Sequence, residues 1–338
     1  MKIIKLLTLI FICFQIAVAH SETRGLMVKS VASVDPVVNG NYRALIIGNN
    51  NYKDLSGQWK PLNTAASDAK SVAKLLKTEY GFNDINVLLD ANRSDVLKAL
   101  TTLEEKTGQD DSVLVYYAGH GYLDDTSSRG YWIPVDANSS DPSTYLRNST
   151  IRDEMSIISS KAKHTLLISD SCFSGSLLRR GGSPAVPSNT SSQYYKKVAN
   201  KKSVQIMAAG GIEYVDDDYR KSGHSPFTYF LLNELKHNDK QLITASEVSS
   251  NVVKAVANNV SQLPESGVLQ GAGDELGEFI FVRVKLDVAV EGVPKEKIKV
   301  IVDVNPVDEN VVIKKQVKID EPEPEIRSDL SSMPLPTL

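Results

Sequence analysis

TLLISDSCFSGS, residues 165–176, decides how the chain is read. An apolar run stops at Asp170, and Ser171, Cys172, Phe173, Ser174 and Gly175 follow it. Such a run, without alternating polarity, suits a strand buried on both faces of a parallel sheet. The same form recurs at SVLVYYAGHG, residues 112–121, where a strand runs into a histidine set between glycines. Sites in parallel α/β sheets form at the carboxyl ends of strands, so Cys172 and His120 are expected at one edge of one sheet. They lie 52 residues apart, room for one helical crossover between neighbouring strands.

Working outward, RALIIG (43–48), INVLLD (85–90), VQIMAAGG (204–211) and GEFIFVRV (277–284) read as further strands. Helical spacing marks 64–80, a helix from Asp95 capped by Ser94, and the segments 151–161, 225–237 and 245–260. Strands alternating with helices imply an α/β fold, a parallel sheet covered on both faces. Residues 20–41 read as a leader and 42–283 as the domain, in which 176–203, rich in Gly, Ser, Pro and basic residues, is expected as a long exposed loop. Residues 284–338 form a C-terminal extension, with a strand pair at 298–304 and 311–319 and a Pro- and Glu-rich end expected to be disordered.

The charge is nearly balanced, 38 basic against 41 acidic side chains, which gives no electrostatic footprint for nucleic acid. MKIIKLLTLIFICFQIAVAH has a basic start, an apolar run and small residues at Ala17 and Ala19, the pattern of a signal peptide cut after Ala19. An uncleaved anchor is the alternative, disfavoured by the short run. The chain is therefore expected to be exported, periplasmic or extracellular, with no membrane span after signal removal. Removal also takes Cys13, leaving Cys172 as the one cysteine, with no internal disulfide open to it.

A thiol becomes a useful nucleophile near neutral pH when a base stands beside it, and an imidazole supplies one. Glycines beside His120 allow a sharp turn and close approach of a carbonyl. The backbone N–H groups of Gly121 and Cys172 are candidates to hold an oxyanion. The competing reading makes Cys172 a small buried hydrophobe at a strand end.

The set RALIIGNNNY, LNTAASDA, SVLVYYAGHG, LLISDSCFSG and HSPFTYFLLNEL resembles the caspase-like cysteine peptidases, in their bacterial caspase-like and metacaspase branch. The resemblance spans roughly residues 42–283, and the animal-caspase signature around the cysteine is absent. It implies a three-layer αβα sandwich with a mainly parallel central sheet, and peptide-bond cleavage through a thioester, with His120 as base and Cys172 as nucleophile. Asp170 and Asp68 match the carboxylates that line a metacaspase pocket for Arg or Lys before the scissile bond. The plainer alternatives are that Asp170 ties down the cysteine loop and Asp68 charges a helix N-terminus. Arg179, Arg180, Lys196, Lys197, Lys201 and Lys202, in the loop where the family is processed, are candidate self-cleavage points, or simply solvated charges.

The dyad requires no cofactor. VDDDY (215–219) is a calcium candidate, because calcium activates several metacaspases, although adjacent acids are more often just solvated. His164, His224 and His237 have no assigned catalytic role, and no CxxC, HExxH, P-loop or GxSxG pattern is present. Protein or peptide substrates are expected; the sequence does not give the oligomeric state. The alternative function is a caspase-like scaffold that binds partners without cleaving them.

Overall fold

In a computed structural model of the chain, the described residues are 38–54, 56–172, 177–178, 190–210 and 217–284, with two further strands, 298–302 and 315–319. The signal and most of the leader, Arg179 and Arg180, and the far C-terminus lie outside them. The apolar runs form the strands β1 (Tyr42–Gly48), β2 (Asp84–Leu89), β3 (Ser112–Ala118), β7 (His164–Asp170) and β8 (Ser203–Ala208). Between β3 and β7 the chain adds three short strands, β4 (Gly121–Asp124), β5 (Arg129–Trp132) and β6 (Leu146–Arg147). Later come β9 (Leu242–Thr244), β10 (Glu265–Val268) and β11 (Ile280–Val282). In the central sheet β10, β8, β7, β3, β1 and β2 lie in that order, all parallel but the antiparallel edge strand β10.

Side-chain alternation gives each strand two apolar faces. One face, with Ile46, Leu114, Tyr116 and Ile168, is covered by helices α1 (Ala65–Glu79), α5 (Pro226–His237) and α6 (Ala245–Ala257). The other, with Ile47, Val115, Leu167 and Ile206, packs on α2 (Arg93–Lys106) and α3 (Asn148–Lys161). This is the three-layer αβα sandwich with a mainly parallel central sheet.

Several expectations are corrected. The cap of α2 is Asn92, whose side chain accepts from Asp95 N at 2.9 Å, and not Ser94, which lies inside the helix. GEFIFVRV contributes only β11, which stands outside the central sheet and pairs antiparallel with β9. The segment 176–203 is not loop throughout: Ser192–Ala199 forms α4, capped by Ser191, with Tyr195 and Ala199 buried one turn apart. Lys196 and Lys197 sit exposed in its last turn. The expected strand pair of the extension forms as β12 (Ile298–Val302) antiparallel to β13 (Lys315–Ile319).

Candidate active site

The register of β3 against β7 sets the site. Ala118 pairs with Asp170 at the carboxyl ends, and two residues further each chain reaches His120 and Cys172. Gly119 N donates to the Asp170 carbonyl, at 3.3 Å, so the loops stay joined beyond the strands. Gly121 lies directly against the Cys172 backbone. Cys172 is half-buried and in no disulfide, so it is less enclosed than the buried-hydrophobe reading requires.

His120 is held through its backbone and through one face and one nitrogen of its ring. Its N–H donates to the Tyr52 hydroxyl at 2.7 Å, and its carbonyl accepts from the Tyr117 hydroxyl at 2.9 Å. A side chain at Gly119 would reach both hydroxyls, its Cβ at 2.7 Å from each, which is why glycine stands there. The Tyr52 and Trp59 rings lie 4.6 and 5.9 Å from the imidazole. His120 Nε2 is 2.7 Å from the Lys60 carbonyl. A carbonyl only accepts, so Nε2 carries the proton and a neutral imidazole keeps Nδ1 as its basic nitrogen. Burial holds its pKa below the usual histidine value and so favours that neutral form. In the β4–β5 ladder Ile133 N donates to the His120 carbonyl, the pattern of a non-hydrogen-bonded Gly121–Trp132 pair, which turns Gly121 N away from β5.

The second half of the site is acidic. Asp170 ends β7 on the face covered by α1 and α5 and is 5% exposed. Its Oδ2 accepts from the hydroxyls of Ser225 and, at 2.7 Å, Thr228, whereas its Oδ1 is buried with no hydrogen-bond partner among the described residues. Burial, with Asp68 nearby, pushes the carboxyl up to about 7. Asp68, in the first turn of α1, is fully enclosed, with Oδ1 2.5 Å from His224 Nδ1 and Oδ2 accepting from Ser225 N at 3.3 Å. The bond to Asp68 raises the His224 pKa, and burial raises that of Asp68. Asp217 accepts from the backbone and side-chain N–H groups of Asn63, both at 2.7 Å, and so fastens its loop to the start of α1. His120, Gly121, Cys172, Asp68, Asp170 and Asp217 all line one pocket of about 390 Å³.

Sequence reasoning missed the Tyr52 hydroxyl, the Lys60 carbonyl, the bond of Asp217 to Asn63 and the Ser225–Thr228 pair. The NNNY and HSPFT segments that supply three of them stood in the quoted motifs, but no spacing there names a partner. The carboxylates of Asp217 and Asp218, read as part of a calcium candidate, hold Asn63 and the Gly223 N–H; Val215 and Asp216 lie outside the described residues. Among the described residues no group of three or more His, Cys, Asp or Glu is arranged to hold a metal. His164 is buried against Ser203 Oγ, at 3.0 Å, with its pKa pushed down to about 4, a packed neutral ring on β7. His237 bonds the Asn233 carbonyl within α5.

A family model described as a caspase domain matches residues 41–269. Metacaspase-4 of Arabidopsis thaliana is 29% identical over 153 residues, which are 40% of this chain and 34% of that protein. The chain thus spans about a third of the length of that curated relative. Among solved structures, a Geobacter sulfurreducens protein is similar with a TM-score of 0.48 and 20% identity, over 71% of this chain and all of that one. Caspase-1 of Spodoptera frugiperda is similar with a TM-score of 0.48 and 16% identity, over 69% of this chain and 90% of that one.

Proposed function

Because the chain belongs to the caspase-domain family, we propose that it is a cysteine endopeptidase that cuts after arginine or lysine. The observation that carries the specificity is the buried Oδ1 of Asp170, without a hydrogen-bond partner among the described residues, in the same pocket as His120 and Cys172. A guanidinium or ammonium entering the pocket completes that carboxylate and offsets the burial that raises its pKa. Asp68, with both oxygens engaged, contributes charge at longer range. An aspartate side chain would meet two buried acids and be repelled.

The proposed chemistry draws on a thiol, an imidazole and backbone N–H groups. His120 Nδ1 takes the Cys172 proton, and the thiolate attacks the substrate carbonyl carbon. The N–H groups of Gly121 and Cys172 receive the oxyanion. The imidazolium then protonates the departing amine, leaving a thioester that water hydrolyses with His120 again as base. His120 suits both steps because the Lys60 carbonyl fixes its tautomer.

The reading extends to export, on the strength of the N-terminal signal pattern, and to self-processing at Arg179 or Arg180. Lys196 and Lys197 suit self-processing less well, because α4 would have to unwind for an active site to accept them in extended form. The test is purified mature protein on fluorogenic peptides with Arg, Lys or Asp at the cleavage position, with and without calcium, beside Cys172→Ala. Cleavage of the Arg and Lys peptides that disappears in the variant is expected. Cleavage surviving in Cys172→Ala, or confined to Asp peptides, overturns the reading. Mass spectrometry of the same sample tests for a cut at Arg179 or Arg180.

A further inference from the structure

Part of the pocket's lining is not used by the acidic chemistry. It comprises Gln58, Trp59, Tyr122, Leu123 and Asp125, carried by the segment before α1 and by the β4 hairpin. Tyr122 and Leu123 follow Gly121 directly and are half-exposed, whereas Trp59 is 6% exposed. The Trp59 ring stands 5.9 Å from that of His120 and 5.7 Å from that of Tyr122. Behind it Tyr145 packs edge-on against Trp59, Tyr122 and Tyr131, at 5.6, 5.9 and 5.6 Å. Interlocked rings of this kind make a firm apolar wall that costs little further ordering to bind against.

Its place in the reaction follows from the proton. The bond that breaks joins the carbonyl carbon held at Cys172 to the nitrogen that His120 protonates. The residue bearing that nitrogen must therefore lie beside His120, against which the Trp59 ring packs and from which Tyr122 and Leu123 follow along β4. We propose that these three side chains form a subsite for an aliphatic or aromatic side chain on the residue following the scissile bond. The subsite rests on the cysteine-peptidase reading above. Asp125, which also lines the pocket and follows on from β4, works against an acidic side chain there.

The test uses the mature protein and internally quenched peptides that share Arg before the scissile bond and carry Phe, Leu, Gly or Asp after it. Burial of a Phe or Leu side chain is expected to raise kcat/KM on the order of tenfold over Gly, and further over Asp. In Tyr122→Ala and Leu123→Ser the Phe/Gly and Leu/Gly ratios are expected to fall towards one. Each ratio is read within a single protein sample, so partial misfolding of a variant does not alter it. A flat profile in the wild type, or ratios unchanged in both variants, overturns the subsite while the peptidase reading stands. No Cys172-dependent cleavage of any peptide overturns the peptidase reading and the subsite together.

Discussion

Gly121 stands so close to Cys172 that a Cβ on it would lie 2.0 Å from the Cys172 carbonyl oxygen. Both sides of that contact are backbone, so neither can rotate away. Gly121→Ala is expected to push the histidine and cysteine loops apart. A displacement of about 1 Å between reacting groups costs roughly a hundredfold in rate, so kcat is expected to fall by about that factor. Steady-state kinetics of the folded variant check this, and a wild-type kcat contradicts it.

Tyr52 offers a narrower test of how His120 is held. Tyr52→Phe removes the acceptor of the His120 N–H and leaves a buried donor unsatisfied, at a cost of about 1–3 kcal/mol. Lower thermal stability is expected, with a kcat reduced roughly tenfold and a KM near the wild-type value. A change in KM alone would mean that Tyr52 acts on substrate rather than on His120.

The acid limb of activity is expected to belong to Asp170. Its carboxyl is pushed up to about 7, so in the free enzyme it ionises as pH rises through that value. kcat/KM for Arg peptides, which reports the free enzyme, should therefore rise with pH through about 7. A bound cation pulls the carboxyl down, so the limb in kcat should lie at lower pH. Asp170→Asn should remove the upper limb and leave that of His120, which burial holds below the usual histidine value. Identical limbs in kcat and kcat/KM contradict this.

The same carboxyl has a consequence for stability. Its folded pKa is raised, so its contribution is present at low pH and is lost as pH rises from about 4, the unfolded value, through the folded one. In Asp170→Asn the side-chain oxygen can still accept from Ser225 and Thr228. The variant is expected to show a smaller loss of Tm than the wild type between pH 5 and pH 8. Parallel Tm profiles for the two proteins contradict the account.

The strand ends were the most legible part of the molecule. Apolar runs with no polar alternation, ending at AGHG and at SDSCF, specify parallel neighbours, and parallel register then brings His120 and Cys172 together. The short antiparallel sheet of β4, β5 and β6 escaped notice because GYLD and RGYW are four-residue segments around a polar turn. Helix α4 was hidden by a composition typical of loops, although Tyr195 and Ala199 are spaced one turn apart.

The groups that fix the site chemistry were less legible. Tyr52 lies 68 residues from His120, and Asp217 lies 154 residues from Asn63. Bonds of that span have no local periodicity, since they depend on where folded loops converge. Asp68 was legible as a pocket carboxylate, but its pairing with His224 was not, and that pairing leaves Asp170 as a buried pocket acid with an oxygen that has no partner among the described residues.

The central claim is that Cys172 is a nucleophile addressed through the acidic pocket. The most direct measurement is covalent labelling of the mature protein by peptide chloromethyl ketones with Arg or Asp at the terminal position, located by peptide mapping. The account expects the Arg reagent to alkylate Cys172 with loss of chloride, much faster than the Asp reagent and far more slowly in Asp170→Asn. Equal labelling by both reagents, or no labelling of Cys172 by either, contradicts it.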